Sequence, residues 1–144
     1  MNHYVSIVAA AICTTLLLAP SVGYARQESA KPFASIAATD PAVKKSVSAK
    51  KLDILRKRIG TDATVIGRVT QIYVPKGDAL QVVNFAEPHY FAITAVLRKR
   101  DADKFPALKS LVGKKIIVTG RLVDYKDKAQ IELTDPTQIK IVTE

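Results

Sequence analysis

The segment "DYKDK", Asp124 to Lys128, sets one tyrosine and two lysines among two aspartates. A phenol ring offers a flat face for stacking, and an ammonium group pairs with phosphate oxygens. Together they supply the chemistry needed to grip planar bases on a charged backbone. The aspartates oppose it, because Asp124 and Asp127 repel phosphate about as strongly as Lys126 and Lys128 attract it. Covalent chemistry has poorer material. His89 is the one histidine beyond the first few residues, and it follows Pro88. No cysteine other than Cys13 exists, and no serine motif stands where a triad could form. Asp78, Glu87 and Asp124 are scattered without a metal-loop pattern. "GRVTQIYVPKG" lacks the glycine spacing and the terminal Lys-Ser/Thr of a phosphate loop. No catalytic residue, metal ligand or cofactor is assigned, and a non-enzymatic binding role is expected.

The elements that position these side chains follow from a period of two. In "KKIIVTGRLVDYKDKAQIEL", Ile116, Val118, Gly120 and Leu122 alternate with Ile117, Thr119 and Arg121, and Ile131 and Leu133 resume the pattern after the polar tip. Upstream, "TVIGRVTQIYV" places Val65, Gly67 and Val69 on one face. Ile72 is one step out of phase, which predicts a bulge or bend. "PKGD" is a turn, "ALQVVNFA" a second strand, "EP" a break and "HYFAITAVL" a third strand. In that strand Phe91, Ile93, Ala95 and Leu97 should face the core, with Tyr90, Ala92, Thr94 and Val96 outward. Asn84 shares the outer face and Phe85 the inner one. Phe105, Leu108 and Leu111 fit a short helix, capped by Asp101 or Asp103 and stopped by Gly113, with Pro106 in its first turn. "TDPTQIKIV" closes with a turn and a short strand. Gly67 and Gly120 should sit at bends or where inward side chains crowd.

A length of 144 residues suits one domain plus extras. Ser6 to Pro20 carries no charge and leads to "SVGYA", whose Gly23 and Ala25 suit a signal-peptidase site, so residues 1–25 read as a signal peptide. An uncleaved anchor is the rival reading, because "MNHY" offers little positive charge. Cleavage would remove Cys13 and with it any disulfide or thiolate zinc site. Residues 26–40 read as a flexible linker, 41–60 as a basic N-terminal helix and 61–144 as a β domain. The helix has Asp40-Pro41 as its start, Val43, Val47, Leu52, Leu55 and Ile59 as its apolar side, and Gly60 as its stop. Lys44, Lys45, Lys50, Lys51, Arg56, Lys57 and Arg58 form either a solvated face or a basic arm lying on phosphates. The net charge of +9 points to polyanions, acidic proteins or anionic lipid surfaces, or simply to solubility.

Five strands with one helix between the third and fourth is the layout of the OB-fold barrel. From Ala63 to Val142 the chain resembles a bacterial OB-fold domain of the nucleic-acid-binding, tRNA-anticodon-domain-like type, on "GKKIIVTG", "YKDKAQI" and "DPTQI". The resemblance implies a mainly β fold that holds single-stranded nucleic acid on the face of strands two and three and in the loops at 75–78 and 124–128. The binding residues it points to are Arg68, Tyr73, Lys76, Asn84, Tyr90, Thr94, Arg121, Tyr125, Lys126 and Lys128, while Phe85 and Phe91 are expected in the core. The expected partner is single-stranded DNA or RNA, and the alternative is an envelope protein-binding or assembly module. A periplasmic or secreted monomer is expected, with no membrane span once the signal peptide is removed.

Overall fold

The structure is a computed structural model and describes residues 31–144. The signal peptide expected over residues 1–25 and the first part of the expected linker lie outside the described residues. The elements are β1 (Ala34–Ala37), α1 (Pro41–Lys44), β2 (Val47–Ser48), α2 (Leu52–Arg56), β3 (Asp62–Arg68), β4 (Gln71–Tyr73), β5 (Leu80–Asn84), β6 (Thr94–Arg98), β7 (Lys115–Tyr125), β8 (Lys128–Leu133) and β9 (Ile139–Thr143). Among the described residues no helix is long and apolar enough to cross a membrane.

β3 and β4 are one strand bent at the expected place. The Val69 N–H donates to the Lys114 carbonyl at 2.9 Å, whereas the Thr70 N–H donates to the Asn84 carbonyl at 2.9 Å. Adjacent residues thus serve opposite neighbours, and the out-of-phase Ile72 is the result. The path then runs β4–β5–β6–β8–β7–β3 and returns to the bent strand. Every pairing along it is antiparallel except β6 with β8, which is parallel. The barrel part of this nine-stranded sheet has the connectivity of an OB-fold, so the strand count exceeds the five expected. Alternation fills its interior: Val65, Val83, Ala95, Leu97, Ile116, Val118, Leu122, Ile131 and Leu133 are buried.

Several strands and helices differ from the sequence expectation. The latter part of the linker, Ala34–Ala37, is β1, which pairs in parallel with β9. The 41–60 helix is broken in two. Asp40 does cap α1, accepting from the Ala42 N–H at 2.8 Å, and Gly60 does end the segment at φ +88°. Between them Val47–Ser48 pairs with Val65–Ile66, and the Ala49 N–H donates to the Ile66 carbonyl at 2.9 Å. Two serines around a β-branched valine are weak helix formers, so pairing with β3 prevails. The third strand begins only at Thr94, because His89–Phe91 is a single 3-10 turn closed by the Phe91 N–H on the Pro88 carbonyl at 3.2 Å. The helix expected before Gly113 is two 3-10 segments, Lys99–Lys104 and Leu108–Leu111. Pro106 disfavours helical backbone at Phe105, which is extended at φ −100° and ψ 144°. Phe105, Leu108 and Leu111 still reach the core.

β7 has a second task. Its first half, Ile116–Val118, pairs with β9, while Leu122–Tyr125 pairs with β8 on the same edge. The gap between the two partners is spliced by Gln138. Its Nε2 donates to the carbonyls of Thr119 and Glu132, each at 3.1 Å. Its Oε1 accepts from the N–H groups of Thr134 at 2.7 Å and Asp135 at 2.9 Å. Asp135 and Pro136 start the 3-10 turn that aims this amide, so "DPTQI" is a splice written in sequence. Gly120 leaves the room: a Cβ there would lie 2.7 Å from Gln138 Nε2 and 2.9 Å from Ile131 Cγ2. Gly67 is crowded likewise, its Cβ position lying 2.7 Å from the Phe85 ring. Gly120→Ala is expected to destabilise the fold by about 1–3 kcal/mol through overpacking. Gln138→Ala should cost about 2 kcal/mol by leaving backbone groups unpaired. Denaturant unfolding measures both, and a neutral result for either would show that the splice does not hold the junction.

Candidate nucleic-acid interface

Because Val83, Ala95, Leu122 and Ile131 point inward, their strand neighbours form the outer face of β4, β5, β6, β8 and the end of β7. The register arranges that face in rows. One row is Tyr73, Val82, Val96 and Glu132. The next is Gln71, Asn84, Thr94, Gln130 and Val123. One step beyond, Tyr125 stands opposite Lys128. Amides and a hydroxyl therefore cross the sheet between two tyrosines at opposite margins. Tyr73 and Tyr125 are separated by four strand spacings, roughly 19 Å along the sheet.

The tyrosines are open to solvent: Tyr73 is 51% exposed and Tyr125 55%. Tyr125 ends β7, and the turn at the tip is only Lys126 and Asp127, both with positive φ (50° and 62°). Such a two-residue turn matches the strand twist and holds Tyr125 in the ladder. Lys126 Nζ lies 5.4 Å from the ring centroid of Tyr125, within cation–π reach. Tyr90 is 53% exposed, but it stands in the 88–91 turn and not on the strand. Phe91, expected inside, is 55% exposed, because the chain leaves the strand before the period of two can bury it. Tyr90 packs between His89 at 5.8 Å and Phe91 at 4.7 Å, so this loop adds an aromatic cluster that the strand reading missed. Ala92 and Val96, both expected outward, are buried. Phe85 is in the core as expected.

The remaining sequence candidates divide. Thr94 lies in the polar row, half-buried. Asn84 lies there too but is only 6% exposed, its Nδ2 donating to Gln71 Oε1 at 3.5 Å. Gln71 and Gln130 belong with them; alternation through Ile72 and Ile131 was the available signal. Lys76 is exposed in the turn after β4, next to Gly77 at φ +93°. Arg68 is elsewhere: it pairs in register with Lys115, and its Nη1 donates to the Gly113 carbonyl at 2.5 Å. Arg121 is exposed at the margin, in register with Asp62.

Charge on this side cancels. Residues 71–104 and 122–133 carry seven basic and seven acidic side chains. Arg98 is bonded to Glu132, which raises its pKa, and Arg100 Nη2 lies 3.8 Å from the same carboxylate. Asp101 accepts from Lys104 Nζ at 2.6 Å and Arg100 Nε at 3.3 Å. Among the described residues, no three His, Cys, Asp or Glu side chains gather as a metal site would need.

No family model matches this chain, and no curated protein does. Solved structures do. An OBody bound to hen egg-white lysozyme is 18% identical, covering 62% of this chain and 85% of its own, at a TM-score of 0.44. A second OBody bound to the same lysozyme is 15% identical over 67% and 93%, at 0.46. The OB domain of a Methanosarcina mazei protein is 18% identical over 60% and 76%, at 0.45. The OB assignment of this chain stands on its own strand pairing.

The Asp101 group gives a pH dependence with a definite sign. The hydrogen bond from Lys104 lowers the Asp101 pKa, burial opposes the shift, and Arg100 assists it. A folded-state pKa below the usual value of about 3.9 stabilises the fold above that value, and the contribution is lost as pH falls through the lower folded value. The stability difference between the parent and Asp101→Asn should therefore be largest above about pH 4 and shrink in stronger acid. A difference that stays constant with pH would show that the carboxylate charge is not its source.

Proposed function

We propose that this chain is a non-catalytic module that lays single-stranded nucleic acid across the outer face of β4, β5, β6 and β8. The observation that carries the reading is the pair of exposed tyrosines at the two margins of the polar row, with the Tyr90–Phe91 cluster in the loop that enters β6. The two rings stand on strands four steps apart around the curled sheet with polar groups between them, so the face suits a strand more than a single nucleotide. Amides of Gln71 and Gln130 and the Thr94 hydroxyl between them can meet sugar and base edges. Stacking is tolerant of sequence, so little base preference is expected. With local charge balanced, stacking supplies most of the affinity and the salt dependence is shallow.

The second reading is a protein-binding module in the cell envelope. Its support is the same charge balance, since interface cores are depleted of charge and enriched in Tyr and Phe. Titration with single-stranded DNA, RNA and duplex at two salt concentrations separates the two. Tyr73→Ala and Tyr125→Ala should each weaken single-strand binding by about 1–3 kcal/mol without unfolding the protein. Lys126→Ala combined with Lys128→Ala should lower the salt slope by about 0.7 for each phosphate that is no longer neutralised. No binding of any strand at low salt would leave the protein-binding reading in its place.

A further inference from the structure

The excess positive charge lies away from the tyrosine face. Among the described residues, those outside 71–104 and 122–133 carry fourteen basic side chains against five acidic ones, which is the whole net charge of +9. Eleven of the fourteen basic ones belong to the 41–60 segment and to the second sheet, ordered β2–β3–β7–β9–β1. Val65 and Val118 of that sheet point into the core, so Thr64 and Thr119 point out on its other side. There a groove of about 310 Å³ opens between α1 and the β3–β7 ladder, lined by Lys45, Arg58, Asp62, Thr64 and Thr119.

We propose that this groove binds a phosphate group, as a site separate from the tyrosine face and independent of the reading given above. Its two cations are free of ion pairs: the four ion pairs among the described residues all involve Glu132 or Asp101, and none involves Lys45 or Arg58. Arg58 is held in place, its Nη2 donating to the Asp62 carbonyl at 3.2 Å, which leaves the rest of its donor fork for an oxyanion. The Thr64 and Thr119 hydroxyls lie 3.0 Å apart. Two hydroxyls share one bond between them, so one further hydroxyl proton is free to donate outward. Two cations and a spare hydroxyl donor around a concave surface suit a tetrahedral oxyanion. The Asp62 carboxylate is the single opposing charge in the lining, and its ladder partner is Arg121. One carboxylate against two cations disfavours a metal ion.

The test is an amide NMR titration of the full chain with inorganic phosphate, ionic strength being held constant with chloride. Saturable shifts are expected at residues 42–45, Thr64 and Thr119. Lys45→Ala should weaken them about tenfold, the effect of removing one charge-assisted hydrogen bond. The Lys45 side chain forms no hydrogen bond or ion pair among the described residues, so this change leaves the fold intact, and Thr64→Val with Thr119→Val provides a second, near-isosteric check. Lys126→Ala should leave the phosphate shifts unchanged. Oligothymidylate then distinguishes the sources: shifts at the same amides identify a backbone phosphate, and their absence identifies a free phosphate. No saturable shift, an equal response to chloride, or shifts that survive Lys45→Ala unweakened would overturn the site. None of these outcomes depends on whether the tyrosine face binds a strand.

Discussion

One edge of β7 must serve two strands, and the Gln138 amide makes that arrangement hold. β8 takes the distal half of the edge and β9 the proximal half, so four backbone groups around the junction would otherwise lack partners. A single side chain satisfies them, and Gly120 gives it space. Because β8 is released from the proximal half of β7, it can run on beside β6 and close the barrel through their parallel pairing. Because β9 takes its place, a second sheet grows from the same strand and carries β1 on its far side. The molecule therefore presents two outer faces, and β7 belongs to both.

The two faces differ in chemistry as a consequence. Strand alternation places Tyr73, Thr94, Gln130 and Tyr125 on the barrel side. Their neighbouring cations are bound up by Glu132 and Asp101, or matched by Asp124 and Asp127. That side offers rings and neutral hydrogen-bonding groups. The other side gathers the basic 41–60 segment over Thr64 and Thr119. In the proposed account, stacking and phosphate attraction are separated in space, and each can be altered without the other.

What was legible in the sequence was whatever depends on neighbours two residues apart. The buried faces of β3, β7 and β8, the bend before Ile72, and the crowding at Gly67 and Gly120 all follow from a period of two and from missing side chains. Features decided by distant pairing were not legible. Val47 reads as part of a helix until Val65 offers it a backbone partner, and Ala34–Ala37 reads as linker until β9 does. Phe91 reads as core only while the period of two is carried across a turn that in fact stops it. Of the candidate site, Tyr73, Thr94, Tyr125 and Lys128 lie along one outer face in the register, while Arg68 stands on the other sheet with its guanidinium bonded to Gly113. The charge balance of the barrel side needed the fold, because it arises from residues far apart in the chain.

The central claim is that bases stack on the tyrosines of the barrel face. Photocross-linking with a single-stranded oligonucleotide carrying 5-iodouracil, followed by peptide mapping, tests it most directly, because the halogenated base couples to aromatic rings that touch it. The account predicts cross-links at Tyr73 and Tyr125, with Tyr90 as a further site. Cross-links confined to residues 41–60, or a bound strand that couples to none of these tyrosines, would contradict it.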